Sequence, residues 1–486
     1  MLIEHGADVT AQNKDGQTPL HLALTPLDPE SFWEQKEVDR ILIERGVDVT
    51  AEEYEGTPVH LVSYRGAVEV SRALIERGAD VTARKKDGGT PLHLASYVGV
   101  VEVARMLIKH GADVTARKKD GETPLHLASR KGQVEVACML IEHGADLTAK
   151  TKDGETPLHL ALTPSYQSLQ EGQVQIARIL IERGADLEAQ NKDGEAPLHL
   201  ASRTGQVEVA CMLIERGVDL EAQNREGETP LHLQLNLFVM VSLRGRVEVA
   251  PVLIEHGADV TAKTKDGGTP LHLASYCGAV GVARMLIERG VDMTIQNKDG
   301  QTPLHLALTP SFASLLERQA EVASMLIERG ADVTAQTKDG KTPLLLALTP
   351  FFGTKLQDGQ AKVARMLIEH GAAVTARNED GETPLHLASR ADRGGIAHIL
   401  LDHGADVNAK NESGSTPFSL AWQLELVEVT RIFLRYGADP GALDRMYSAN
   451  SSGPRGEKTS PDQVQASLQA YCSSLAYDTV IKNDCQ

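Results

Sequence analysis

The sequence predicts an all-α protein, a solenoid of stacked helix–turn–helix units, and three observations carry that prediction. Thr-Pro-Leu-His or a close variant begins at residues 18, 57, 90, 123, 156, 196, 229, 269, 302, 342, 383 and 416, giving twelve units spaced by 33 residues or by 39 to 41. Apolar residues inside each unit recur at helical spacing. Of the 486 residues, 41% are hydrophobic but only 4% aromatic, so the core is built from Leu, Ile, Val and Ala. That composition suits thin helical layers better than one thick core.

Residues 120–152 show what each position does. Asp120-Gly121 is a turn pair. Thr123 is a good N-cap, and Pro124 suits the first helical position, where its missing N–H costs nothing. Leu125, Leu127 and Ala128 supply the buried side of a two-turn helix that Gly132 can end. Val134, Val136, Ala137, Leu140 and Ile141 form the apolar stripe of a second helix, with Gly144 as its left-handed terminal residue. Ala145 to Lys152 is polar and extended and leads to the next turn. One such pair cannot bury its apolar face alone, whereas stacked neighbours can.

Twelve copies of TPLH-type motifs, the recurring Gly-Ala-Asp and the 33-residue period resemble the ankyrin repeat family across roughly residues 1–440. The resemblance implies an ankyrin-repeat solenoid of stacked helix-turn-helix units with short hairpin fingers. Fingers and first helices would line a concave groove. It also implies a protein-binding scaffold or adaptor without catalysis. Family members commonly carry Asn after Asp-Val in the finger; here only Asn408 keeps it, and Thr10, Thr50, Thr82 and Thr115 stand at equivalent places.

The departures are informative. Residues 1–17 read as a partial repeat without a polar cap, as expected of a fragment or incomplete gene model, or of a chain whose upstream residues are supplied elsewhere. Residues 18–440 form the array, 441–460 a Gly/Ser/Pro-rich flexible linker, and 461–486 a short helix and disordered tail. Five units carry seven or eight extra residues between their helices. Four of these begin on a second Thr-Pro, at Thr25-Pro26, Thr163-Pro164, Thr309-Pro310 and Thr349-Pro350. Read as another cap and first turn, Thr163-Pro164 predicts a second short helix over about 164–170. The inserts hold Phe32, Phe238, Phe312, Phe351 and Phe352, with Trp33 and Tyr166, and those rings should pin each insert onto a neighbouring unit. Pro251 falls inside a second helix, which predicts a kink and weak local stability.

Ten of the seventeen histidines occupy the TPLH position. Successive repeats space them by ~8–10 Å, whereas zinc draws its ligands to ~2 Å, so bonds to Thr and to loop backbone are expected instead of a metal site. The five cysteines, Cys138, Cys211, Cys277, Cys472 and Cys485, show no metal-ligand spacing and read as free thiols of a reducing compartment, cytoplasmic or nuclear. No catalytic motif is visible, and neither a cofactor nor a small-molecule substrate is expected. The net charge of −18 argues against nucleic acid and anionic membranes. The longest apolar run, 231–243, is too short to span a bilayer.

Partner-binding candidates are the first-helix ends Tyr64, Arg65, Tyr97, Arg130, Lys131, Arg203 and Tyr276. Three consecutive finger segments add Arg84, Lys85, Lys86, Arg117, Lys118, Lys119, Lys150 and Lys152, a basic ladder suited to an acidic protein partner and set beside Asp87, Asp120 and Asp153. An alternative reading makes the chain the recognition portion of a larger signalling or NTPase-type sensor. Enzyme and nucleic-acid binder are weaker rivals.

Overall fold

A computed structural model describes residues 8–14, 17–24, 39, 41–45, 47–51, 56–164, 171–235, 248–309, 313–349, 358–391 and 393–439. The described residues form helices and turns without a β-strand. They divide into two compact units, Met1–Leu273 and Ala274–Gln486.

In the first unit the repeat is cleanest at Pro124–Lys131 and Val134–Glu142, helices of eight and nine residues. Thr123 caps the first by accepting from the His126 N–H, and Gly132 ends it at φ 70°, a backbone that a residue with a side chain rarely adopts. Leu125, Leu127 and Ala128 are buried, as are Val136, Ala137, Met139 and Leu140. Each first helix packs on the first helix of the next unit, so the core is a row of Leu and Ala running from repeat to repeat. Beyond the second helix, the finger closes with Thr151 N–H donating to the Glu155 carbonyl at 2.9 Å, as Lys118 does to Glu122 in the finger before. Adjacent fingers are tied by backbone: Lys119, Lys152, Lys192 and Arg225 N–H donate to the carbonyls of Asp87, Asp120, Asp153 and Asp193 at 2.6–2.8 Å.

The second unit repeats this construction, with Val280–Glu288, Leu316–Glu328, Asp358–Glu369, Gly394–Asp402 and Val427–Arg435 as second helices. Lys338 and Glu412 N–H continue the finger ladder to the Asp299 and Asp380 carbonyls.

The second Thr-Pro closes the helix before it. Thr163, Thr309 and Thr349 end the first helix in extended backbone, ψ 114–119°. Their hydroxyls donate back to the carbonyls of His159, His305 and Leu345 at 2.8–2.9 Å. A residue before proline is excluded from the helical region, so the same dipeptide that opens a helix in TPLH closes one here. The described end of the insert joins the second helix: Ala313–Leu315 is a 3-10 turn running into Leu316–Glu328, and Glu171–Glu182 and Asp358–Glu369 span twelve residues instead of nine. Residues 165–170 and the insert aromatics lie outside the described residues, as do the linker and tail.

Each long second helix carries a buried glutamine just inside its start. Gln173 donates to the Thr163 carbonyl at 2.9 Å, and Gln319 to those of Thr309 and Tyr276 at 3.0 and 2.7 Å. The proline that follows the threonine removes the N–H that would continue the helix, and the glutamine amide binds the carbonyl at that break.

Pro251 does not sit in mid-helix. Its helix, Val249–Glu255, begins two positions later than the register of Val134–Glu142. Pro251 is therefore third in its helix, in the first turn, where no intrahelical N–H bond is lost. Pro251→Ala should change stability by less than about 1 kcal/mol, read as the midpoint of urea unfolding. A loss of more than ~2 kcal/mol would contradict this placement.

Candidate interaction surface

The histidines come first because they set the geometry beneath the surface. In each unit where the contact is seen, the Thr N–H donates to His Nδ1, as Thr123 does to His126 at 3.1 Å. A backbone N–H can only donate, so Nδ1 is the acceptor and the ring proton sits on Nε2. Nε2 then donates to a carbonyl of the following finger: His60 to Gly89, His93 to Glu122, His126 to Glu155 and His159 to Glu195, at 3.0–3.2 Å. In the second unit His305 and His386 reach Lys341 and Ser415 in the same way. Burial pushes His60, His93, His126 and His232 down to about 4. The rings are neutral ties between units. Among the described residues, no group of three or more His, Cys, Asp or Glu is placed to hold a metal ion.

The structure sorts the basic ladder into two kinds of residue. Arg84 donates to the Arg117 carbonyl of the next finger at 2.9 Å, and Arg117 in turn to the Lys150 carbonyl. These arginines stitch fingers together. Lys118 is half-buried and paired with Asp120 and Glu122 at 3.0 and 2.9 Å. Arg130 and Arg203 bind the buried carboxylates of Glu122 and Glu195, and Arg390 binds Glu382 at 2.7 Å. Arg65 donates to the Ala23 carbonyl at 3.2 Å. Lys86, Lys119, Lys150 and Lys152 stay exposed, and Lys85 is half-buried. Residues 57–152 hold fifteen Lys and Arg against eleven Asp and Glu, a local +4 in a chain of −18.

The aromatic candidates form a column. The Tyr64 and Tyr97 rings stack with centroids 6.5 Å apart at 24°, and Lys131 Nζ lies 4.6 Å from the Tyr97 centroid on top of the ring. Tyr64 is 54% exposed. Tyr276 belongs to the second unit, where its carbonyl serves Gln319.

The buried Glu122, Glu195 and Glu382 escaped the sequence reading, yet a signal exists. Residues just before the Thr (or Ala) that opens the unit and eight positions later go together: Glu122/Arg130, Glu195/Arg203 and Glu382/Arg390, but Gly56/Tyr64, Gly89/Tyr97 and Gly268/Tyr276. In the units without an insert that carry the carboxylate, Glu122, Glu195 and Glu382, the arginine eight positions on binds it. Where glycine replaces it, the helix displays a tyrosine.

Among the described residues, no helix is long and apolar enough to cross a membrane. The family model for ankyrin repeats in three copies matches in overlapping stretches from residue 31 to residue 444. A 61-residue segment is 44% identical to an ankyrin repeat protein of Fowlpox virus (strain NVSL), covering 12% of this chain and 11% of that protein. The chain thus spans about a tenth of that curated relative. The matched stretches and the helical repeats agree, and the chain belongs to the ankyrin repeat family.

Proposed function

We propose that this chain is a non-catalytic scaffold or adaptor that holds an acidic protein partner against the first-helix ends and finger tips of residues 57–152. Ankyrin repeats are protein–protein interaction modules, which supports the general role. The observation that carries the finer reading is the local positive charge displayed on exposed lysines while the neighbouring arginines are bound internally. Lysines on rigid, mutually bonded fingers offer an oriented field to carboxylates with little reorganisation. The free thiols of Cys138, Cys211 and Cys277 fit a reducing compartment, and nothing in this role calls for a cofactor.

Charge reversal at Lys86, Lys119, Lys150 and Lys152 is the test. The quadruple variant should keep the helical content of the parent and lose a crosslinked partner recovered from the native cell, with binding that weakens as salt rises in the parent only. Equal recovery by parent and variant would overturn the reading.

A further inference from the structure

We infer that the two consecutive glycine–tyrosine units at Gly56/Tyr64 and Gly89/Tyr97 form an aromatic shelf that selects a partner segment carrying an aromatic side chain among its acidic residues. This rests on the scaffold reading above and names the recognition element of the same surface.

Three observations converge on it. First, Tyr64 and Tyr97 stack on each other, and Lys131 covers the Tyr97 ring, which leaves the more than half-exposed Tyr64 at the open end of the column. Second, other large apolar side chains exposed on first helices gather in the same stretch: Leu22 at 48% and Val98 at 37% lie in the units on and beside the tyrosines. Leu22, Tyr64 and Val98 lie on three successive first helices, Pro19–Leu24, Pro58–Arg65 and Pro91–Val98, which pack side by side. Third, the glycine at the base of each tyrosine unit removes the carboxylate that binds arginine in the Glu122/Arg130 unit. At Gly89 the only carboxylate in contact, among the described residues, is that of Asp87, which accepts the Gly89 N–H at 2.9 Å and carries no arginine up to the ring.

The chemistry of the guest follows. Tyr rings prefer an offset or edge-on aromatic neighbour. A guanidinium would also stack, but Lys131 and the finger lysines repel a cation there. A neutral ring flanked by carboxylates meets the shelf with its ring and the fingers with its charges. Single-stranded nucleic acid offers rings and negative charge too. The carboxylates of Asp87, Asp120 and Asp153 beside the finger lysines oppose its continuous phosphate line, and the peptide is favoured.

The experiment is a fluorescence-anisotropy titration of the full chain with three labelled peptides: a Glu/Asp-rich 12-mer with one central Trp, the same peptide with Ala for Trp, and the same with Arg for Trp. A single-stranded oligouridylate is run alongside. The Trp peptide should bind about tenfold more tightly than the Ala and Arg peptides. Tyr64→Ala should remove that difference while leaving the weak, salt-sensitive binding common to all three. Leu424→Ala, half-exposed in the second compact unit, should leave every affinity unchanged. Equal binding of Trp and Ala peptides overturns the shelf and leaves the acidic-partner reading standing. Failure of all three peptides to bind overturns both. Tighter binding of the oligonucleotide than of the Trp peptide overturns the shelf as a peptide site.

Discussion

Acidification from pH 7 to pH 4 is expected to unfold the repeat array around its histidines. His60, His93, His126 and His232 are held near 4 by burial in the folded chain, against about 6.5 when unfolded. Between those values the unfolded chain takes up protons that the folded rings refuse. Their contribution to stability is therefore complete above pH ~6.5 and drains away as pH falls toward 4. Each ring contributes on the order of 2–3 kcal/mol by the time pH 4 is reached. Four such losses rival the whole stability of an ordinary domain, ~5–15 kcal/mol. His159, His199, His305 and His386 are shifted in the same direction by the same cause. Helical circular dichroism followed against pH should collapse between pH 6 and 4. An unchanged spectrum at pH 4 would show that the rings are not the neutral ties described above.

The second large effect concerns the inserts. Gln319→Ala should destabilise the second compact unit by about 2–4 kcal/mol, because two carbonyls in the protein interior lose their donor at once. The comparison variant is Gln133→Ala, at the same place in a unit without an insert. Its amide reaches only the Tyr97 carbonyl, at 3.5 Å, and less than half the effect is expected. Urea unfolding of both variants, with hydrogen exchange of residues 303–328, reads the difference. Equal losses would mean that the glutamine does not anchor the insert.

The fold was open to reading from the sequence because each repeat states its own punctuation. Thr123-Pro124, Gly132 and Gly144 do what their types predict, and twelve repetitions remove the ambiguity of any single one. One local reading failed because a residue's effect depends on where the helix starts. Pro251 shifts its helix start and so avoids the interior. Thr163-Pro164 closes the first helix, because the proline disfavours helical backbone at the threonine, and the short helix expected after it lies outside the described residues. At the interaction surface, residue type alone made Arg84, Arg117 and Arg130 look like Lys119 and Lys150. Only the structure shows that the arginine forks are occupied, by carbonyls of the next finger and by a buried carboxylate eight residues back. That is the behaviour of a planar group with several donors, whereas an ammonium on a flexible stem stays in water.

Inside the array one position breaks the histidine series. Leu345 stands where every other unit before the last, which has Ser419, carries His, and it falls between His305, which reaches Lys341, and His386, which reaches Ser415. Thr342 still caps its helix, but no ring links this repeat to the next. In a linear array, cooperativity is the product of couplings between nearest neighbours. A weakened link divides it into blocks that melt on their own schedule. Residues 383–439 thus have the make-up of a detachable end-piece, able to open while the repeats before it stay closed. A chain that looks uniform by its repeats is in this respect segmented, and a single leucine marks the seam.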